Sequence, residues 1–234
     1  MNTTNRRVRL QDLGLTPYQE AWDYQERLLK QNLAVKSGLE TGDTTHYLLF
    51  TEHPPVYTLG KSGKTEHLLM SEEGVAAAGI EFVHTNRGGD ITFHGPGQIV
   101  GYPIIDLEQF STDIGWYLRS LEEVIIRTLK HYGIEAGRSK GETGVWIEPE
   151  VKGRARKICA MGVRCSRWVT MHGFALNVET DLSYFNNIIP CGIPDKQVTS
   201  IEKETGRKIS REEIIQHLAD AFEQVFECEL VKEG

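Results

Sequence analysis

Arg87-Gly88-Gly89-Asp90-Ile91-Thr92-Phe93-His94-Gly95-Pro96-Gly97-Gln98-Ile99-Val100-Gly101-Tyr102-Pro103-Ile104-Ile105 is the stretch from which the fold and the site are both read. Five glycines fall between positions 88 and 101, with Arg87, Asp90, Thr92, His94 and Gln98 set among them. An apolar, strand-like run follows from 99 to 105. Glycine lets backbone approach a ligand closely or take a positive φ. Alternated with hydrogen-bonding side chains, it reads as the wall of a binding site. The same residues also fit a glycine-rich hairpin turning at Gly95-Pro96-Gly97. From these residues alone both readings stand.

Outward from this stretch the chain alternates strand and helix patterns. On the N-terminal side, residues 8–13 alternate as a short strand. Thr16, Pro17 and Gln19 read as an N-cap, a first-turn proline and a capping-box partner for a helix carrying Tyr18, Ala21, Trp22, Leu28, Leu29 and Leu33. Residues 47–50, 56–59 and 80–85 read as strands, with a short helix near 72–78. On the C-terminal side, 113–132 is an amphipathic helix closed by Gly133. Residues 143–147, 157–163 and 169–178 read as strands. Ser210-Arg211-Glu212-Glu213 is a capping box opening a last amphipathic helix. The pattern predicts an α+β fold, a sheet core with helices packed on it, in one domain spanning residues 1–234.

Composition narrows the class. With 39% hydrophobic and 25% charged residues, the chain can bury a core and is not a disordered one. A net charge of -7 argues against nucleic acid as the main partner. No run approaches the roughly 20 apolar residues that cross a bilayer, so no membrane association is expected. No apolar segment follows the first seven residues as a secretory signal would, which predicts a cytoplasmic protein. Cys159, Cys165, Cys191 and Cys228 lack paired spacing. They read as free thiols, and no metal site is expected.

Charge is unevenly spread. Residues 151–178 hold Lys152, Arg154, Arg156, Lys157, Arg164 and Arg167 and no acidic residue. This span reads either as a solvated basic hairpin or as a docking surface for an acidic partner. Lys157 opens the apolar run Ile158-Cys159-Ala160-Met161-Gly162-Val163, where partial burial would suit it to proton transfer; a lysine snorkelling at a strand end is the plainer alternative. Cys191, between Pro190 and Gly192, is the cysteine best placed for a nucleophile, although a Pro-Cys-Gly turn can also be plain structure. His94 and His172 each precede a glycine and could orient a substrate or be satisfied structural histidines. The full phosphate-binding motif Gly-x-x-x-x-Gly-Lys-Ser/Thr is absent.

Taken together, the blocks resemble one family. Residues 87–98 resemble the signature of lipoyl(octanoyl) transferases of the LipB type. Residues 157–164 resemble their second block, His172-Gly173-Phe174-Ala175-Leu176-Asn177-Val178 the third, and Ile189-Pro190-Cys191-Gly192 the fourth, with Val198-Thr199-Ser200-Ile201 after it. The resemblance implies the catalytic-domain fold of biotin/lipoate protein ligases, a mixed sheet with flanking helices. It implies transfer of an octanoyl or lipoyl group from acyl carrier protein to a lysine on lipoyl domains, such as dehydrogenase E2 subunits and the glycine cleavage H protein. It implies an acyl-thioester on Cys191 with Lys157 as its acid/base partner, and no cofactor beyond the phosphopantetheine of the donor. Substrate-binding positions then fall on Arg87, Gly88, Gly89, Asp90, Ile91, Thr92, Phe93, His94, Ala160, Met161, Gly162, Gly173, Phe174 and Ala175. An ATP-dependent lipoate or biotin ligase of the same fold, or a non-catalytic module that binds an acyl carrier, are the alternatives.

Overall fold

The quoted stretch is where the chain passes from one sheet to another. The computed structural model describes residues 5–189 and 197–232. In chain order the strands are β1 (Arg7–Leu15), β2 (His46–Glu52), β3 (Val56–Leu59), β4 (Glu81–His84), β5 (Ile91–His94), β6 (Gln98–Ile104) and β7 (Ala136–Gly137). They continue with β8 (Val145–Ile147), β9 (Arg156–Ser166), β10 (Val169–Asn177), β11 (Gln197–Val198) and β12 (Glu229–Lys232). The α-helices are α1 (Tyr18–Lys36), α2 (Glu72–Ala77), α3 (Ile114–Lys130), α4 (Ile201–Thr205) and α5 (Arg211–Phe226).

Among the described residues the larger sheet runs β12-β1-β2-β6-β10-β9-β8-β7, with β11 paired to β9. The smaller runs β4-β3-β5. The turn expected at Gly95 to Gly97 forms, since Gln98 N–H donates to Gly95 O at 3.2 Å. It does not join a hairpin. β5 pairs with β3, while β6 pairs with β2 and β10. The reason lies at Gly97, whose carbonyl accepts from the N–H groups of Val178 and Glu179 at 3.1 and 2.9 Å. Its φ is +76°, and an added Cβ would stand 2.7 Å from the Glu179 carbonyl carbon. The turn is therefore clamped to the chain leaving β10, and β6 departs into the larger sheet.

The central strands of that sheet are covered on both faces, which explains their continuous apolar runs. Alternation along β2 sends Leu48 and Phe50 toward Leu121, Ile125 and Phe222 of α3 and α5. It sends Leu49 toward Leu28 and Leu29 of α1, beside Val100, Tyr102 and Ala175. A third cluster, with Tyr57, Phe93, Phe185 and Ile188, closes the smaller sheet.

Helix starts follow short polar caps. Asp113 accepts from Trp116 N–H, and Ser210 accepts from Glu213 N–H as its motif predicts. The expected Thr16 cap is different. Pro17 takes the N-cap position, and the Thr16 hydroxyl turns back to donate to Leu13 O at 2.8 Å. Among the described residues no helix is long and apolar enough to cross a membrane.

Candidate functional site

Two glycine pairings create the site. Gly162 on β9 lies opposite Gly173 on β10. A Cβ on Gly162 would come within 2.6 Å of Gly88 O, and one on Gly173 within 2.2 Å of Gly101 O. Both contacts are to backbone, so neither position accepts a side chain without moving a strand or loop. Gly88 N–H donates to Val163 O at 2.9 Å, laying residues 87–90 along β9. Between this loop and the larger sheet is a cavity of about 610 Å³, within the size range of small-molecule sites.

The expected residues gather around it. Residues 87–92, His94, 160–162 and 173–175 all border the cavity, as does Lys157. Phe93 does not. It is 1% exposed and stacks on Tyr184 at 4.4 Å, with Phe185 edge-on at 5.7 Å. Strand alternation on β5 gives the reason: Thr92 and His94 take one face, and Phe93 takes the other, toward the core of the smaller sheet.

Polar groups along the cavity form one ordered chain of hydrogen bonds. Arg87 is buried, and its Nη2 donates to Thr58 O at 2.7 Å, Thr58 Oγ1 at 2.9 Å and Asp90 O at 2.8 Å. With Oγ1 accepting from Arg87, the Thr58 hydroxyl proton points to His94 Nε2 at 3.4 Å. His94 then carries its proton on Nδ1 and donates to Gln98 Oε1 at 2.7 Å. Gln98 Nε2 donates to Phe93 O at 3.1 Å and to Asn177 Oδ1 at 2.9 Å. Asn177 Nδ2 donates to Thr199 O at 3.0 Å, and Thr199 N–H donates to Lys157 O at 2.9 Å. The glycine-rich loop is thereby tied to the strand that carries Lys157. Asp90 closes its own turn, accepting from Ile91 N–H at 2.7 Å and meeting His67 Nδ1 at 2.6 Å.

The buried histidines are neutral. Burial brings His53 down to about 4 and, with the Arg87 and Arg164 charges, His172 down to about 3. Burial also holds His94 well below the usual imidazole value. His53 Nδ1 donates to Thr16 O at 2.7 Å, leaving Nε2 to accept from Tyr102 OH at 2.8 Å. His172 sits at φ +58° inside β10, a strained conformation for a non-glycine residue. Its Nε2 donates to Asn86 Oδ1 at 2.7 Å.

Lys157 Nζ lies 4.6 Å from the Trp146 ring centroid. Val198, opposite Lys157 in β11, and Phe185 also border the cavity. Cys191 lies outside the described residues. Each of the other cysteines has its thiol pushed up by burial, Cys159 and Cys165 above the usual range and Cys228 to about 12. None of these three is a ready thiolate near neutral pH.

Three of the six cations in the basic span are paired with acids. Arg154 pairs with Glu148 at 2.7 Å, Arg156 with Glu148 at 2.5 Å and Glu204 at 2.6 Å, and Arg164 with Glu26. Its acidic partners come from outside residues 151–178, so the sequence count alone overstated the charge.

Tyr18, Tyr102, Asn177 and residues 141–143 also border the cavity and were not expected there. Tyr18 was hidden because it falls on the apolar face of α1. Asn177 carried a readable signal, a lone amide closing an apolar strand.

The comparisons with known proteins agree with this architecture. A family model described as the lipoyl protein ligase A/B catalytic domain matches residues 17–223. A protein of Flavobacterium johnsoniae named octanoyltransferase is 56% identical over 232 residues, covering 97% of this chain and 100% of its own. One of Christiangramia forsetii with the same name is 56% identical over 231 residues, covering 97% and 98%. Among solved structures, a bipartite lipoate protein ligase from Thermoplasma acidophilum aligns with a TM-score of 0.72 at 18% identity, covering 98% of this chain and 87% of its own. A lipoate-protein ligase A bound with ATP aligns with a TM-score of 0.71 at 16% identity, covering 98% and 88%. At these identities the structural likeness speaks to the fold alone, a mixed sheet with flanking helices.

Proposed function

The chain belongs to the lipoyl protein ligase A/B catalytic-domain family, among its octanoyltransferases, and on that premise we propose that it moves an octanoyl group from acyl carrier protein to a lysine of lipoyl domains through a thioester on Cys191. The acyltransferase class follows from the relatives; the donor, the intermediate and the acceptor lysine are the proposal. Lys157 takes the Cys191 thiol proton, and the thiolate attacks the carbonyl carbon of the donor thioester. The tetrahedral intermediate collapses with the phosphopantetheine thiolate leaving, and Lys157 returns the proton to it. In the second half the acceptor ε-amine, in its neutral form, attacks the Cys191 thioester. Lys157 receives the amine proton and passes it to the departing Cys191 thiolate. One thioester replaces another in the first half, and an amide replaces a thioester in the second, so no ATP is consumed.

The reading rests most directly on Lys157 standing at the border of a cavity walled by glycine backbone and apolar side chains. Ile91, Val100, Met161 and Phe174 give an acyl chain apolar surface, while residues 87–89 offer close backbone approach. His94 and Arg87, fixed by their own hydrogen bonds, serve as rigid positioners. The acceptors are the lipoyl domains of E2 subunits and the glycine cleavage H protein. The test incubates the protein with octanoyl-acyl carrier protein and an apo-lipoyl domain in the absence of ATP. Octanoylation of the acceptor lysine is expected, and a strict requirement for ATP with free octanoate would overturn the reading.

A further inference from the structure

Glu122 lies on α3 and is wholly buried. Its Oε2 accepts from Arg119 Nη1 at 2.6 Å and Arg138 Nε at 3.0 Å. Those two side chains are 48% and 36% exposed, so the carboxylate is neutralised from its solvent side. Its Oε1 faces inward and accepts the Gly144 N–H at 3.0 Å.

Gly144 is where this bond acquires its consequence. Its φ of +120° suits glycine alone, and an added Cβ would stand 2.6 Å from Cys159 O and 3.6 Å from Lys157 Cε. The Gly144 backbone thus rests against the strand and the stem of Lys157. The three preceding residues, 141–143, border the cavity. Two residues on, Trp146 lies beneath Lys157 Nζ.

We propose that Glu122 is a positioning residue for Lys157: by holding the Gly144 N–H it fixes residues 141–144 as the surface against which the lysine is set. The inference rests on the reading of Lys157 as the acid/base partner. Retracting the carboxylate frees the segment, and an ångström of displacement at Lys157 is enough to cost about 100-fold in rate.

The experiment compares Glu122→Asp, which shortens the side chain by one methylene, with Glu122→Gln, which keeps an oxygen for Gly144 N–H. Arg119 and Arg138 reach solvent and can tolerate the amide. Steady-state transfer is measured at a temperature where circular dichroism shows both variants folded. In parallel, acetylation of Lys157 by an N-hydroxysuccinimide ester is followed by peptide mass spectrometry. Glu122→Asp is expected to lower kcat by about 10–100-fold with KM for the acyl donor nearly unchanged, and to change the Lys157 acetylation rate several-fold. Glu122→Gln is expected to restore both toward wild type. Wild-type kcat and Lys157 reactivity in Glu122→Asp, with only a lower Tm, would overturn the proposal, as would a Gln variant impaired as severely as the Asp one. Acetylation does not depend on the transfer reaction. A Lys157 response to Glu122→Asp in a protein that transfers no octanoyl group would keep the positioning contact and sink the transferase reading.

Discussion

Lowering the pH from 7.5 to 5.5 should destabilise this protein well before its carboxylates begin to protonate. His53, His94 and His172 are buried and neutral, with values of about 4, well below normal, and about 3. In the unfolded chain each returns to about 6.5. A base whose folded value is depressed is protonated first in the unfolded chain. Its contribution to stability is therefore complete above pH 6.5 and is lost as the pH falls toward the folded value. Between pH 7.5 and 5.5 His53 and His172 each remove about 1.4 kcal/mol, or about 3 kcal/mol for the pair, against a typical domain stability of about 5–15 kcal/mol, and the buried His94 and His46 act in the same direction. Urea unfolding followed by tryptophan fluorescence at half-unit pH steps measures this, with m held constant as the control for two-state behaviour. The slope should steepen below pH 6.5, and His53→Gln should remove about 1.4 kcal/mol of the loss between pH 7.5 and 5.5, whatever that variant costs at pH 7.5. A stability that is flat or rising down to pH 5.5 would refute the burial argument and with it the neutral forms of His94 and His172.

Further consequences follow from single contacts. Gly173→Ala drives a Cβ into Gly101 O and should cost about 2–3 kcal/mol, read as a lower Tm. Gln98→Leu strips partners from His94 Nδ1, Phe93 O and Asn177 Oδ1, and should cost about 2–4 kcal/mol in chemical denaturation. Phe93→Ala should lower stability by about 3–5 kcal/mol, because its ring fills the core of the smaller sheet. Arg154→Ala, at an exposed ion pair, should stay within about 0.5 kcal/mol of wild type.

Much of the architecture was legible because periodicity and caps agree with it. Leu48 and Leu49 on opposite faces of β2, and Ser210 capping α5, are read directly from spacing. The hairpin reading at Gly95 to Gly97 failed because local turn chemistry cannot report which sheet receives each strand. That choice is made by Gly97 O bonding to Val178 and Glu179, about eighty positions away. The Thr16 cap failed because a hydroxyl has a second local partner in Leu13 O. The cavity border was legible through the family blocks that the sequence resembles, and the structure shows why glycine stands within them, at Gly162 and Gly173 against neighbouring backbone. Phe93 was named with its block, yet its side chain turns from the cavity, because a motif names every residue in it while a strand shows only alternate ones. The neutralisation of Arg154, Arg156 and Arg164 was invisible because Glu148, Glu204 and Glu26 reach them only through folding.

The central claim is covalent transfer through Cys191, and intact-mass spectrometry tests it most directly. Wild-type protein mixed with octanoyl-acyl carrier protein, without ATP and without acceptor, should gain one octanoyl group that hydroxylamine removes. Peptide mapping should place it on Cys191, and it should vanish in Cys191→Ala while persisting in Cys159→Ala. No adduct under conditions that support transfer, or an adduct on Cys159, Cys165 or Cys228, would contradict the account.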